Sequence, residues 1–195
     1  MPKIQNAIGK RNFEYARDAI GAILFVELDN QATIQDDETI RVNVWVNRIS
    51  VFDQSEMPAI NVRIATLNFS DKYQGCSTGE DRFIIDLSVR DKDESKSLMI
   101  CQKIAGIIHA ILEDSQYKTL GFSPPFNNNS IVSSMQFSDI FPGQDAANIS
   151  SAVITYDVTL IEETEALNAP QIQQHLTGVL LAETDQGYQY QWIEN

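Results

Sequence analysis

Cysteine and histidine are scarce in this chain, and their scarcity limits the chemistry it can carry. The 195 residues include two cysteines, Cys76 and Cys101, and two histidines, His109 and His175. Two cysteines are too few for a disulfide framework and lack the spacing of a zinc site, so we expect reduced thiols in a cytosolic compartment. Neither histidine lies near a nucleophile motif. The sequence therefore predicts no catalytic residues and a protein that is not an enzyme.

Long hydrophobic runs are also missing. The longest apolar run, Ala19 to Val26, is interrupted by Gly21, and it is far shorter than the roughly 20 residues that a membrane-spanning helix needs. The N-terminus lacks the charged, apolar and small-residue pattern of a signal peptide. We therefore expect no membrane partner and no export. With 43% apolar residues, the length suits one domain, with or without an arm.

Positive charge is missing after Lys118, because no lysine or arginine follows it. The same segment contains nine acidic residues: Asp139, Asp145, Asp157, Glu162, Glu163, Glu165, Glu183, Asp185 and Glu194. Affinity for nucleic acid comes largely from Lys and Arg that neutralise phosphates, so we expect no tight binding to DNA or RNA. An alternative is that the net charge of −13 serves only to keep the protein soluble.

Two segments resemble ligand-binding loops and fail at defining positions. DKDESKSLMICQ begins like a calcium loop at Asp91 and Asp93, but Lys96 stands where the turn needs Gly and Gln102 where a bidentate Glu belongs. We interpret the two aspartates as groups that stabilise a helix N-terminus. GCSTGED lacks the ending and the glycine spacing of a phosphate loop, and we predict a surface loop there. The sequence thus predicts no metal and no cofactor.

Hydrophobic periodicity predicts two helices. Residues 12–28 place apolar side chains at helical spacing after Asn12, a candidate N-cap, and a polar break follows at residues 29–38. This helix becomes nearly all apolar, so we expect it to be buried on assembly. The second helix carries an apolar stripe. The stripe consists of Leu98, Cys101, Ile104, Ala105, Ile108, Ile111 and Leu112.

Alternation of apolar and polar residues predicts five strands. The alternating segments are Ile40–Val46, Ile60–Ile64, Phe83–Val89, Ile131–Phe137 and Ile154–Leu160. The alternation shifts by one residue near Asn47 and again before Leu67, which predicts a bulge or bend in each of the first two strands. Turn-forming residues predict an exposed loop at residues 115–130, and a loop too long for a tight hairpin joins the last two strands.

These elements predict an α+β fold, with a bent, mainly antiparallel sheet of about five strands and two helices packed on one face. The pattern weakens after Glu163. We therefore predict a single domain over residues 1–163 and an acidic C-terminal extension or arm over residues 164–195.

Aromatic residues stand on polar surfaces in two places. Trp45 lies on the polar face of its strand, and three aromatics alternate in a Gln-rich tail. Tyr and Trp on polar surfaces are enriched at protein interfaces. Together with arginines on the outward faces of the strands, they form the predicted interface set: Trp45, Arg63, Arg82, Arg90, Tyr188, Tyr190 and Trp192. An alternative is that the tail packs on its own domain.

The order of these elements resembles a known family. A leading helix, the strand PAINVRI, the strand RFIIDLSVRD feeding the helix SLMICQKIAGIIHAIL, and a late strand ending in ITYDVTLIEE are similar to the tail terminator and tail completion (neck) proteins of long-tailed bacteriophages. The resemblance covers roughly residues 10 to 163. The long acidic tail after Glu163 departs from the compact family pattern.

The resemblance implies a structural virion protein, located in the tail or neck and assembled in the cytoplasm of the bacterial host. Family members form homo-oligomeric rings, commonly hexamers, that stop polymerisation of the tail tube and bind the head. The implied partners are other copies of the chain, the tail tube and the head-connector proteins. DNA would only pass through an acidic lumen. No catalytic residues exist in the family to carry over.

A head-to-tail ring needs two different, complementary patches on each subunit. The arginine-bearing strands and the acidic C-terminal third are the candidates that the sequence offers. Two alternatives to a tail terminator stay open at this point. One is another phage connector or baseplate component, and the other is a small cytosolic binding module or an enzyme whose motif is not recognised.

Overall fold

A computed structural model describes residues 7–69, 71–73, 76–123, 125, 127–142, 148–163, 178–184 and 187–193. The chain divides into two compact units. One unit, Gly9–Thr164, contains both helices and the main sheet and is called the core unit below. The other unit contains a two-stranded hairpin near the C-terminus, within the predicted arm.

The helices and the five predicted strands occur in the predicted order. Four of these strands are longer than predicted and the first is shorter, and three further described strands were not predicted. The helices are α1 (Asn12–Gln35) and α2 (Glu94–Glu113). The strands are β1 (Asn43–Val46), β2 (Ala59–Thr66), β3 (Asp71–Tyr73), β4 (Cys76–Asp91), β5 (Asn127–Pro142), β6 (Asn148–Glu163), β7 (Gly178–Thr184) and β8 (Gly187–Ile193).

The main sheet has the strand order β1-β2-β4-β6-β5, and the short β3 pairs with one end of β4. All of these pairs are antiparallel except β1 with β2, which run parallel. Both helices pack on one face of this sheet, where their apolar stripes and the inward side chains of the strands form one core. The predicted α+β fold with a mainly antiparallel sheet is confirmed. The parallel β1–β2 pair is the exception within this mainly antiparallel sheet.

Helix α2 has the predicted stripe. Of the seven stripe residues, Leu98 is half-buried and the other six are buried. Asp93 is the N-cap and its carboxylate accepts the backbone N–H of Lys96 at 3.2 Å, as the capping interpretation predicted. Among the described helices, α2 is long and apolar enough to cross a membrane, a property that it shares with core helices of soluble proteins. Its apolar stripe lies in the core.

Helix α1 differs from its prediction at both ends. Its N-cap is Arg11 rather than Asn12, and the Phe13 N–H is instead satisfied by the carboxylate of Glu162 on β6, at 2.7 Å. The helix also continues through the predicted polar break, because Leu28 and Ala32 extend the buried stripe. The polar residues between them lie on the exposed side of the helix. Burial of one face therefore outweighs the polar composition of this segment.

Strand β4 includes the segment GCSTGED from Cys76 onward, so the surface loop predicted there is wrong. The strand pairs with β6 along its full length, from Cys76 opposite Glu163 to Asp91 opposite Asn148. Backbone pairing with two neighbours stabilises this polar segment as a strand, although its side chains alternate poorly. Gly79 allows the backbone of Asn68 to cross closely above it.

The bend predicted near Asn47 is present, but it ends the strand instead of continuing it. Strand β1 ends at Val46, and Asn47 has a left-handed backbone with φ of 53°. The residues that carried the shifted alternation lie in a loop that runs to Pro58. In β2, by contrast, the pairing shifts between Ile64 and Thr66, where a change in alternation was predicted.

Candidate functional site: the surfaces available for assembly

The described residues do not form a reactive centre that could be recognised. Within them, no group of three or more His, Cys, Asp or Glu side chains could hold a metal ion. Cys101 is fully buried, and burial raises the pKa of its thiol to about 11, so it stays protonated. His109 is exposed on α2. His175 lies outside the described residues, and the absence of enzymatic activity stays a prediction.

Three carboxylates are nonetheless buried among the described residues of the core unit. Asp157 is described below with Arg82, and the other two contact backbone segments. Glu162 accepts N–H groups from the start of α1, at 2.7 Å from Phe13 N and 3.2 Å from Arg11 Nε. Asp81 is 1% exposed, and its carboxylate accepts the Asn68 N–H at 2.8 Å. Burial raises the pKa of Asp81 to about 6, and repulsion from Glu162 adds to the effect, while the Asn68 hydrogen bond opposes it. Both groups position backbone segments and face no open cavity among the described ones.

We expect Asp81→Asn to stabilise the protein at neutral pH. The folded pKa of about 6 lies above the ordinary value of 3.8, so the carboxyl group costs no stability below pH 3.8 and a growing amount as the pH rises through 6. The amide keeps an acceptor for Asn68. The free energy of unfolding should therefore rise by about 1–3 kcal/mol at pH 8 and change little at pH 4. Urea unfolding of both proteins across this range measures it.

Glu80 on the same strand is exposed, so Glu80→Gln provides the matched control. It removes one negative charge from the surface, whereas Asp81→Asn removes one from the interior. Its effect should be small at both pH values. Equal stabilities of Asp81→Asn and the original protein at pH 8 would show that Asp81 is not held in an unfavourable charged state.

The four predicted interface residues of the core unit share one face of the sheet. Trp45, Arg63, Arg82 and Arg90 alternate with the residues that face the helices, so they lie on the opposite face, called the outer face below. Arg63 pairs with Asp86, with 2.7 Å between Nε and Oδ2. Arg82 binds both carboxylate oxygens of the buried Asp157, at 2.8 and 3.1 Å, and the pKa of Asp157 is lowered as a result. Arg63 and Arg82 are thus already paired within the chain.

Arg90 lines an open cavity of about 510 Å³ at one end of the sheet. The lining residues are Gln54, Met57, Arg90, Asp91, Lys92 and Lys96. Lys96 forms an ion pair with Asp91 at 3.3 Å, so part of the positive charge is compensated locally. Three basic side chains, Arg90, Lys92 and Lys96, line this cavity. No feature of the described residues identifies a ligand for it.

Trp45 belongs to a stack that shapes the loop after β1. The Arg48 guanidinium lies 4.7 Å from the centre of the Trp45 ring and 5.2 Å from that of Phe52. Glu56 accepts two hydrogen bonds from Arg48, each at 2.8 Å. Asn61 on β2 hydrogen-bonds the backbone of Arg48 in both directions. These contacts therefore fix the conformation of the loop. Trp45 has an intramolecular role that the sequence did not reveal.

Two aliphatic side chains of this loop are exposed to solvent. Ile49 is fully exposed and Val51 is 89% exposed. They border a cavity of about 420 Å³ on the outer face, together with Arg48, Phe52, Arg63 and Asp86 among others. We call residues Asn43–Pro58, which comprise β1 and this loop, the β1 edge. It lies at one end of the sheet.

Strand β5 is the edge strand on the opposite side of the sheet from β1. It also exposes large apolar side chains. Ile131, Met135 and Phe137 are 50%, 38% and 43% exposed. The pairing with β6 shifts between Val132 and Ser134, so Ile131 lies opposite Asp157 on the outer face, whereas Met135 lies opposite Ile154 on the helix face. The sequence predicted that Ile131, Met135 and Phe137 lie on the same face of this strand, and that prediction is wrong for Ile131. We call residues Asn127–Ser138 the β5 edge.

Large apolar residues are also exposed on α1, among them Phe25 and Val26. Phe25 and Val26 are 59% and 58% exposed, and Val26 borders a small cleft of about 270 Å³ that Tyr117 closes at one end. The Tyr117 hydroxyl donates to Glu27 at 2.5 Å. The expectation that this helix is fully buried on assembly stays a prediction, since the single chain leaves this side open.

The three tail aromatics occupy alternate positions of β8. In the antiparallel hairpin, Tyr188 lies opposite Glu183, Tyr190 opposite Leu181 and Trp192 opposite Val179. The register thus pairs the three aromatic positions with two aliphatic positions and one acidic position of β7. The remainder of the predicted arm, residues 164–177, 185–186 and 194–195, lies outside the described residues.

Comparison with known proteins adds little to this description. No family model matches the chain, and no curated protein matches it. Among solved structures, the chain is similar to that of a protein whose name gives no function. The identity is 15% over 72% of this chain and 94% of that chain, with a TM-score of 0.40. A likeness at this level carries no argument about fold or function.

Proposed function

We propose that this protein is a structural virion component that assembles head to tail into a ring, which ends the tail tube of a long-tailed bacteriophage and joins it to the head. The phage assignment comes from the resemblance over residues 10 to 163, and a hexamer is the subunit number that the resemblance implies. The surfaces of the core unit support the self-assembly.

The observation that carries the proposal is the difference between the two ends of the sheet. A closed ring of identical chains needs two unlike patches on each subunit, one for each neighbour. The β1 edge and the β5 edge lie at opposite ends of one sheet, differ in sequence, and each exposes large apolar side chains. Such side chains on an otherwise polar surface are typical of interaction sites.

The charge distribution supports a ring through which DNA passes without being held. The chain has 27 acidic and 14 basic residues. Two of the arginines on the outer face, Arg63 and Arg82, are paired with carboxylates, which reduces their capacity to bind phosphate. A lumen formed by such a chain would repel DNA and leave it free to move.

The test of this function is direct observation of the purified protein. We expect sedimentation to give a mass that is a multiple of 21.9 kDa, and negative-stain electron microscopy to show rings with a central opening. Raising the salt concentration should weaken association little, since the contacts proposed here are mainly apolar. A protein that stays a single chain up to its solubility limit would contradict the proposal, and so would open filaments without rings.

A further inference from the structure

The two edge strands of the main sheet carry little of the charge that usually protects exposed strands. Edge strands present unpaired N–H and C=O groups, and natural proteins guard them with charged residues or proline, or by keeping them short. Strand β1, NVWV, is four residues long and contains neither a charged residue nor a proline. The β5 edge, NNNSIVSSMQFS, lacks both over twelve residues, and Asp139 and Pro142 follow only in the last part of β5. The inner strands, by contrast, carry charges such as Arg63, Asp86 and Asp157.

In an isolated sheet, charged residues are expected along an exposed edge strand, but residues 127–138 of β5 carry none. The β5 edge is twelve residues long, and it exposes Ile131, Met135 and Phe137 beside its free backbone. A long, uncharged, partly apolar edge is expected to pair with another strand. Its shifts in register with β6 distort the edge without placing a charge on it.

The direction of the strands identifies a second copy of this chain as the suitable partner. β1 runs parallel to β2, and the pairs β2–β4, β4–β6 and β6–β5 are each antiparallel. Strand β5 therefore runs opposite to β1. When two copies stand side by side with the same orientation, as neighbours in a ring do, β5 of one copy meets β1 of the next in antiparallel orientation, which is the more stable pairing per residue.

The backbone of β1 has groups available for this pairing. The N–H groups of Asn43 and Asn47 donate toward β2, to Pro58 O at 3.0 Å and Val62 O at 2.9 Å. Because N–H groups of alternate residues in a strand point to opposite sides, the N–H groups of Val44 and Val46 point away from β2. The fully exposed Ile49 and the largely exposed Val51 lie in the loop that follows β1, where they border the cavity on the outer face of the sheet.

We propose that the β5 edge of one subunit pairs antiparallel with β1 of the next subunit, so that the sheet continues from subunit to subunit, and that Ile49 and Val51 pack against the apolar side chains of the β5 edge. This inference rests on the self-assembly proposed above and specifies its interface. It requires two unlike edges in each contact, and it excludes a two-fold contact of β5 with β5.

Complementation between two blocked variants tests this proposal. One variant carries Ile131→Lys and Phe137→Lys, which places charges on the β5 edge. The other carries Ile49→Lys and Val51→Lys on the β1 edge. Each variant alone should sediment as a single chain, because each lacks one half of every contact. An equimolar mixture should form dimers and nothing larger, because one intact edge from each variant can still pair.

A matched control places the same two charges elsewhere. Met99 on α2 is 67% exposed and Gln102 on the same helix is also exposed, so Met99→Lys with Gln102→Lys changes the net charge equally and should leave association unchanged. Thermal melting checks that all three double variants are folded. Hydrogen exchange of the Val44 and Val46 amides supplies a second measurement, with slow exchange in the assembly and fast exchange in the β5 variant.

Other outcomes would contradict the proposed interface, the ring or the strand pairing. If the β5 variant is a single chain while the β1 variant still associates, the contact is β5 with β5 and the proposal is wrong. If neither variant loses association, the edges are not the interface, although the ring itself stands. If the original protein does not associate at all, the proposed function fails together with this inference. Fast amide exchange at Val44 and Val46 in an intact assembly would exclude strand pairing.

Discussion

We expect Gly79→Ala to lower the free energy of unfolding of the core unit by more than about 3 kcal/mol. A Cβ atom at this position would overlap both the carbonyl oxygen and the carbonyl carbon of Asn68. These are backbone atoms, so the clash cannot be relieved by rotating a side chain. The segment around Asn68 would have to move away from β4.

That movement would break contacts that hold the segment in place. The Asn68 N–H donates to the buried Asp81 at 2.8 Å, and the Asn68 side chain donates to the Glu80 carbonyl at 2.6 Å. Displacement would leave the buried carboxylate of Asp81 without its hydrogen bond, which adds a desolvation cost to the steric one. In a domain of this size, thermal melting should show a decrease in Tm of about 6–12 °C.

Gly106 provides the control for this substitution. It lies inside α2, and no neighbouring atom comes within 4 Å of the place that a Cβ atom would take there. Gly106→Ala should therefore stabilise the helix by roughly 0.5–1 kcal/mol, because alanine loses less backbone entropy on folding. If Gly79→Ala melts at the same temperature as the original protein, the close crossing of Asn68 over β4 is incorrect.

The helices were the part of the fold that the sequence predicted best. The stripe on α2 was predictable because its apolar residues repeat at helical spacing without interruption. For α1, the polar residues after Leu28 concealed the continuation of the helix, since Ala32 alone carries the buried stripe into that segment. A stripe made of one small residue per turn is a weak signal in a sequence, yet it suffices when the neighbouring sheet covers it.

The order of the five predicted strands was predicted more reliably than their length or their pairing. The polar residues from Cys76 to Asp81 did not alternate in hydrophobicity, and only pairing with β6 makes them a strand. The parallel arrangement of β1 and β2 depends on the loop between them crossing back over the sheet, which local periodicity does not encode. The loop itself was mistaken for a strand because Ile49 and Val51 alternate with polar residues.

The candidate assembly surfaces were partly predictable. Trp45 was selected because an aromatic residue on a polar face is unusual, and it does lie on the β1 edge, although its ring also stacks on Arg48. The arginines were selected for their charge, and the ion pairs that engage Arg63 and Arg82 come from strands distant in sequence. The missing charge in residues 127–138 was visible in the sequence and would have indicated the β5 edge.

Removal of the C-terminal hairpin should weaken association and leave the core unit folded. Residues Gly9–Thr164 contain both helices and the complete main sheet, so a chain that ends at residue 177 keeps the contacts that stabilise them. The hairpin, in contrast, is a two-stranded sheet, which is marginally stable in water by itself. Tyr188, Tyr190 and Trp192 belong to the predicted interface set, and under the proposed function they contact a neighbouring subunit or tail component.

Two substituted proteins separate the aromatic contribution from the presence of the hairpin. Replacing Tyr188, Tyr190 and Trp192 by serine removes candidate anchors of the kind that dominate interface energies, so association should weaken by at least about 2 kcal/mol, or roughly 30-fold. Replacing Gln189 and Gln191 by serine alters the alternate positions of the same strand and should have little effect.

Sedimentation and thermal melting of these proteins distinguish an interface role from a structural one. An interface role predicts that the truncated and aromatic variants associate less and melt at the original temperature when compared as single chains. The rival hypothesis, in which the tail forms part of its own core, predicts a lower Tm with association unchanged at temperatures where the protein is folded. The glutamine variant decides whether any loss arises from the aromatic side, because both serine variants keep the hairpin backbone and differ in the side of the strand that they alter.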